Sequence, residues 1–115
     1  CPPGWHLPSD EEWSALTAYL GTESIAGNKM KEPVAKPWLS SNSDGTNESG
    51  FSALLGGRKY LNFLFGEVAD CGYWWSSTES LTTGAWFRGL YYGNSTVHRD
   101  IGVKGHGFSV RCVRD

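Results

Sequence analysis

The residues with the clearest potential for chemistry are the three cysteines, Cys1, Cys71 and Cys112. None of them forms a CxxC pair, so a structural zinc site is not indicated. Cys1 and Cys112 lie at opposite ends of the chain, and because domain termini often lie close together, a bridge between them would close nearly the whole chain. Two alternatives stay open at this point. Cys71 pairs with Cys112, or Cys1 is a lipidated N-terminal residue, which is disfavoured because residues 2–5 already look like the start of a fold.

A second group combines aromatic, histidine and arginine side chains between residues 73 and 106. Trp74 and Trp75 begin a predicted strand, so their rings should point to opposite faces, with one of them in the core. Aromatic and Arg groups on one surface are typical of binding hot spots. The candidate ligand-binding residues are Trp86, Arg88, Tyr91, Tyr92, His98 and Arg99. Core packing is the alternative for Trp86, whereas the two tyrosines precede Gly-Asn and are expected in an exposed turn.

Metal binding is not expected. The oxygen-rich stretch from Asn42 to Glu48 fails the EF-hand pattern, because Gly45 is fourth counting from Asn42 and position 53 is Ala. A solvated turn explains its composition. The histidines His6, His98 and His106 are too widely spaced to indicate a metal site, and we expect no cofactor.

Size and charge limit the classes of partner. The chain has 115 residues and a formal net charge of −2, so it fits one domain and gives no indication of nucleic-acid binding. Residues 81–115 carry five basic and two acidic side chains, which predicts either a basic face or pairing with the acidic first part of the chain. No apolar run approaches the roughly 20 residues of a membrane span.

Two helices are predicted near the start. Ser9 and Glu12 form a capping-box pattern, and Trp13, Leu16 and Leu20 recur at helical spacing, so a helix is expected over about residues 10–20. A second helix is expected over 24–32, with Ile25, Ala26 and Met30 facing inward.

Short apolar pieces follow a polar loop at 40–50 and are typical of an antiparallel sheet. The predicted strands are 51–55, 59–65, 73–77, 85–92, 97–103 and 108–113. In the last of these, Phe108, Val110 and Cys112 are expected on one buried face. Helices first and strands afterwards indicate an α+β fold.

Four stretches in this order resemble the Fibrobacter succinogenes major paralogous domain family. They are CPPGWHLPSDEEW at 1–13, GFSAL with GGR at 50–58, YWWSSTE at 73–79 and GFSVRCVRD at 107–115. The resemblance implies a C-type-lectin-like fold, in which two helices flank a twisted antiparallel sheet with a long loop region. It also implies that Cys1 and Cys112 are the paired cysteines, and that the domain, residues 1–115, is part of a longer secreted or surface protein of a bacterium.

The family has no single activity, so the function is a hypothesis. We expect an extracytoplasmic recognition or adhesion module that binds a glycan or a protein through loops between residues 73 and 106. The first alternative is a structural spacer or capping domain without a ligand. The second is a thiol-dependent enzyme related to formylglycine-generating enzymes, using Cys71 and Cys112. Catalysis is not expected, because a working thiolate needs an accessible electropositive setting and a disulfide explains Cys112 more simply.

Overall fold

The computed structural model describes residues 1–33 and 45–115, so Asn42 and Asp44 of the predicted polar turn lie outside the described residues. The described residues form an α+β fold, as predicted. Its helices are α1 (Asp10–Tyr19) and α2 (Glu23–Met30). Its strands are β1 (Trp5–His6), β2 (Arg58–Lys59), β3 (Phe65–Gly66), β4 (Cys71–Leu81), β5 (Gly84–Tyr91), β6 (Val97–Val103) and β7 (Val113–Arg114).

Helix α1 begins at the predicted capping box. The Glu12 amide donates to Ser9 Oγ at 3.2 Å, and the Ser9 amide donates to Glu12 Oε2 at 2.8 Å. These two bonds satisfy donors that a helix start otherwise leaves unpaired. Trp13 and Leu20 are buried and Leu16 packs against them, which confirms the predicted apolar stripe. The helix ends before Gly21, whose φ of +131° is open to glycine.

Helix α2 is confirmed with one correction. Ala26 and Met30 are buried as predicted, but Ile25 is 47% exposed. The inward face is instead completed by Gly27, where an added Cβ would lie 2.6 Å from the carbonyl oxygen of Ser95. This close approach of the α2 backbone to the segment before β6 leaves Ile25 on the outer side.

Strands β4, β5 and β6 form an antiparallel sheet in that order, with Trp74 opposite Arg88 and Arg88 opposite Arg99. Because side chains alternate along a strand, one face of the sheet receives the two helices. The core on this helix face is a single cluster of buried side chains: Trp13, Leu20, Ala26, Met30, Phe51, Ala53, Leu55, Trp74, Leu90 and Val97.

The other face of the sheet carries a second aromatic core. Trp75 lies there, on the face opposite Trp74, as the predicted alternation requires. Trp75 and Phe108 stack with ring centroids 4.3 Å apart, and Tyr73 and Phe87 pack beside them. Gly102 makes this packing possible, because a Cβ there would lie 2.9 Å from the Phe108 ring. The segment after β6 therefore closes over the sheet and covers this face.

Three predicted strands take a different form. Residues 59–65 were expected as one strand but turn back as a hairpin of β2 and β3. Residues 51–55 were expected as a strand of the sheet, but Ala53 pairs with Met30 and Glu32 at the end of α2 instead. In residues 108–113 Val110 is exposed, so the predicted single buried face is wrong there.

The two termini meet. Cys1 and Cys112 form a disulfide with Cα atoms 5.7 Å apart, which confirms the predicted pairing and leaves Cys71 free and buried. Beside it, β1 pairs with β7 through Trp5 opposite Arg114. No helix within the described residues is long and apolar enough to cross a membrane.

Candidate ligand-binding surfaces

The structure divides the six predicted ligand-binding residues between two faces of the sheet. Trp86, Arg88 and Arg99 lie on the helix face. Arg88 is 2% exposed and donates to Asp10 Oδ1 at 2.7 Å, so it does not face a ligand, which corrects the sequence-based expectation. Arg99 stacks on the half-buried Trp86 with its guanidinium carbon 3.6 Å from the ring centroid.

The remaining predicted residues lie on or beyond the opposite face. The rings of Tyr91 and His98 meet edge-to-face with centroids 4.5 Å apart. Burial lowers the pKa of His98, so burial favours the neutral imidazole. Tyr92 is exposed after the end of β5. These six residues therefore do not form one site.

Asp10 is a residue whose role the sequence analysis missed. Its carboxylate lies between two cations, accepting hydrogen bonds from Arg88 and, at 2.8 Å, from Arg99 Nη2. Burial raises the pKa of Asp10, but the bonds from Arg99 and Arg88 outweigh burial and hold it below its ordinary value. The sequence gives no signal for this role, because the two partners of Asp10 follow 78 and 89 residues later.

Several basic side chains of residues 81–115 form ion pairs with acidic side chains from earlier in the chain. Asp10 engages Arg88 and Arg99, and Lys104 pairs with Glu79. The acidic and basic parts of the sequence therefore meet in the fold, as one of the two sequence-based alternatives predicted. Within the described residues, no ion pair involves Arg111 or Arg114.

A cluster of exposed apolar side chains lies on the β2–β3 hairpin, residues 58–66. Four large side chains of its turn and second strand are between 56% and 75% exposed: Leu61, Phe63, Leu64 and Phe65. Single exposed apolar residues are normal on a protein surface, but such a cluster on one small element is typical of an interaction site.

Phe63 has an unusual backbone within this hairpin. Its φ is +65°, in the left-handed region, while the residue is 74% exposed and Lys59 Nζ lies 4.4 Å from its ring centroid. A bulky residue pays about 1–2 kcal/mol for this conformation, which Gly or Asn adopts more readily. Neither core packing nor turn geometry explains a phenylalanine at this position.

The base of the hairpin is firmly held. Lys59 and Gly107 exchange two backbone hydrogen bonds of 2.9 Å, and the Gly57 amide donates to the Cys71 carbonyl at 2.7 Å. Arg58 pairs with Glu67, with Nε 2.6 Å from Oε2. The exposed apolar side chains therefore stand on a hairpin that is joined to the sheet and to the segment after β6.

A groove runs from the hairpin toward α1, along residues 107–113. Its first cavity, of about 300 Å³, lies between residues 56–59 with Phe65 and residues 107–109. A second cavity of about 260 Å³ shares Gly56 and Ser109 with the first. A third, of about 190 Å³, shares Phe51 and Arg111 with the second and reaches α1. We call these three cavities the groove.

The thiol arrangement of the enzyme hypothesis is not formed. Cys112 is bonded to Cys1, so it is not a partner for Cys71. Burial raises the pKa of the Cys71 thiol, whereas a nucleophilic thiolate requires a lowered one. Burial also raises the pKa of the neighbouring Tyr73 hydroxyl.

The polar turn and the three histidines were the candidate metal ligands in the sequence. Among residues 1–33 and 45–115, no three His, Cys, Asp or Glu side chains form a group able to hold a metal ion. In the described part of the turn, Asn47 Oδ1 accepts a hydrogen bond from the Ser52 amide at 2.8 Å. Glu48 Oε2 lies 3.6 Å from Lys29 Nζ, so the carboxylate forms an ion pair.

Comparison with known protein families matches residues 1–114 to the Fibrobacter succinogenes major domain. The chain belongs to this family. The match covers both terminal cysteines, the aromatic strand β4 and the hairpin. No curated protein and no solved structure matches the chain. The function of this Fibrobacter succinogenes major domain is therefore argued from its own surface.

Proposed function

We propose that this domain is an extracytoplasmic recognition module that binds a partner protein through the 58–66 hairpin and the adjoining groove. The observation that carries the proposal is Phe63, a bulky aromatic residue that is held exposed in a left-handed backbone conformation. Backbone strain that packing does not explain is concentrated at functional sites in proteins. An exposed aromatic ring on a fixed hairpin is a suitable anchor for a partner's pocket.

The binding surface proposed here differs from the loops expected from the sequence. Of the six residues expected there, Arg88 is buried and Arg99 is engaged by Asp10. The hairpin instead presents exposed Phe65, which lines the groove. Aliphatic and aromatic side chains together favour a protein ligand over a glycan, because a sugar site needs flat rings bordered by hydrogen-bonding groups.

The location and the finer fold class are part of the same proposal. The Cys1–Cys112 disulfide supports an oxidising, extracytoplasmic compartment. The two helices on one face of the sheet and the joined termini support a C-type-lectin-like arrangement. An adhesion role on a bacterial surface would follow from both.

Binding to arrays of random heptapeptides and of glycans tests the function. We expect the folded domain to bind a subset of peptides, and the double variant Phe63→Asn/Phe65→Ser to lose that binding. The matched control is Tyr19→Ser, which removes an aromatic ring that is 87% exposed on α1. Peptide binding that survives the double variant but is lost in the control would overturn the proposed surface.

Two other results would replace the proposal. Binding to glycans alone would favour a lectin-type function. Failure to bind either array, together with dimerisation in sedimentation that depends on Phe63, would make the hairpin a contact between copies of a structural domain.

A further inference from the structure

The groove beside the hairpin has a shape that selects an elongated ligand. Its three cavities follow one another along residues 107–113 and share residues at each junction. The largest is about 300 Å³, at the lower limit of a small-molecule site. Cavities of this size in a row suit the successive side chains of an extended peptide better than one compact molecule.

One residue of the backbone along the groove, Val110, is free to pair among the described residues. Ser109 is bound to the sheet on one side, because its amide donates to the Tyr73 carbonyl at 2.8 Å and its carbonyl accepts from the Trp75 amide at 3.1 Å. The next residue, Val110, is exposed, and no backbone hydrogen bond among the described residues engages it. An extended peptide in the groove can therefore reach unpaired backbone groups.

The charge along the first two cavities has one sign. Their lining residues include Arg58, Lys59 and Arg111 and no carboxylate. Arg58 is neutralised by Glu67, whereas Lys59 and Arg111 lie on aromatic rings. In the described part of the chain, neither of these two cations has a carboxylate partner.

Apolar side chains border the same two cavities. Phe65 lines the first cavity and Leu54 and Val110 line the second, and all three are exposed. A ligand complementary to this surface needs negative charge for the two cations. It also needs apolar groups to pack on the three exposed apolar side chains.

We infer that the groove binds an extended segment of a partner protein in which carboxylate side chains flank apolar ones. This inference rests on the proposed function and specifies its ligand. The carboxylates would meet Lys59 in the first cavity and Arg111 in the second, and the intervening apolar side chains would pack on Phe65, Leu54 and Val110.

The test compares charge variants on the heptapeptide array. For the unaltered domain we expect bound peptides to be enriched in Asp and Glu next to Leu, Val or Phe, with binding that weakens as salt is raised. We expect Lys59→Gln/Arg111→Gln to weaken binding of the strongest peptide about tenfold, as the loss of charged contacts would do. The reversal Lys59→Glu/Arg111→Glu should shift the preference toward Lys and Arg.

The matched control is Arg114→Glu, an exposed cation on β7 that does not line the groove and should leave peptide selection unchanged. Circular dichroism melting shows whether each variant is folded. If the Lys59→Glu/Arg111→Glu variant does not fold, the Lys59→Gln/Arg111→Gln variant alone tests the role of the two charges.

Binding that depends on Phe63 and Phe65 without any acidic preference would overturn this inference and leave the proposed function standing. Preferential binding of oligogalacturonate, an acidic glycan, would overturn the peptide assignment, and absence of any binding would overturn both.

Discussion

The guanidinium of Arg88 and the carboxylate of Asp10 form a buried ion pair 2.7 Å long that joins the centre of the sheet to the first turn of α1. Arg88 also donates to the Asp10 carbonyl and to Ser14 Oγ, so three of its hydrogen bonds go to one helix. The pair fixes where the helix begins on the sheet.

Removal of the Asp10 charge should be strongly destabilising. Asp10→Asn leaves the buried Arg88 without its counter-ion, and breaking a buried pair in this way costs about 3–5 kcal/mol. Arg99→Gln removes the more exposed cation and should cost about 1 kcal/mol. Urea unfolding of the two variants measures both values. A loss of no more than about 1 kcal/mol for Asp10→Asn would show that Arg88 does not depend on Asp10.

The conformation of Phe63 leads to a prediction in which stability and binding change in opposite directions. Asn tolerates the left-handed region, so Phe63→Asn should keep the free energy of unfolding unchanged or raise it by up to about 1 kcal/mol, while peptide binding is lost. The stability of each variant is measured by urea unfolding. As a comparison, Phe51→Ala removes a buried ring and should lower the free energy of unfolding by about 3–5 kcal/mol. A loss above about 1 kcal/mol for Phe63→Asn would make Phe63 a structural residue.

The hairpin is also where sequence reasoning failed most clearly. The apolar pattern of residues 59–65 predicts one strand, and the segment lacks the Asn-Gly or Asp-Gly signal of a tight turn. The turn is closed by the Phe63 amide, which donates to the Tyr60 carbonyl at 3.0 Å, and by the Leu64 amide, which donates to Asn62 Oδ1 at 3.2 Å. Within it Phe63 adopts a conformation that its residue type disfavours. Rules based on residue type do not place a phenylalanine in the left-handed region, so the turn was not predictable from them.

Elsewhere, the predictions that were confirmed concern interactions between residues close together in the sequence. Helix α1 was predictable because its capping box and apolar stripe involve residues within a few positions of each other. The pairing of Ala53 with Met30 and Glu32, and of Asp10 with Arg88, joins distant positions that a single sequence does not connect. The exposure of Ile25 likewise depends on Gly27 meeting Ser95.

His6 should make stability depend on pH. Its Nδ1 lies 2.7 Å from Asp115 and its Nε2 2.8 Å from Glu12, and because both acceptors are carboxylates the imidazole must carry both protons. Hydrogen bonds to Asp115 and then Glu12 raise the pKa of His6 above 6.5. The stabilisation is therefore complete below about pH 6.5, the unfolded-state value, and is lost as pH rises through the folded-state pKa.

The measurement is the difference in unfolding free energy between the parent and His6→Gln from pH 5.5 to 9. This difference should be largest at the acidic end and should fall to a constant value above the folded-state pKa. NMR titration of the His6 ring protons gives that pKa directly. A pKa at or below 6.5 would contradict the charged arrangement.

The terminal disulfide should contribute a large share of stability. It links residues separated by 111 positions, and removing a native bridge from a small domain typically costs about 2–5 kcal/mol. The double variant Cys1→Ser/Cys112→Ser should melt at a lower temperature by a corresponding amount, while Cys71→Ser keeps the bridge. Peptide mapping without reductant that links Cys71 to Cys112 would contradict the pairing.

The central claim is that the hairpin and groove are the binding surface, and amide chemical-shift mapping tests it most directly. The probe is the strongest-binding heptapeptide from the array, added to isotope-labelled domain. We predict the largest shift changes in residues 58–66 and 107–111, with little change around Trp86 and Arg99. Changes concentrated around Trp86, Arg99 and Tyr92 with a silent hairpin would contradict the account.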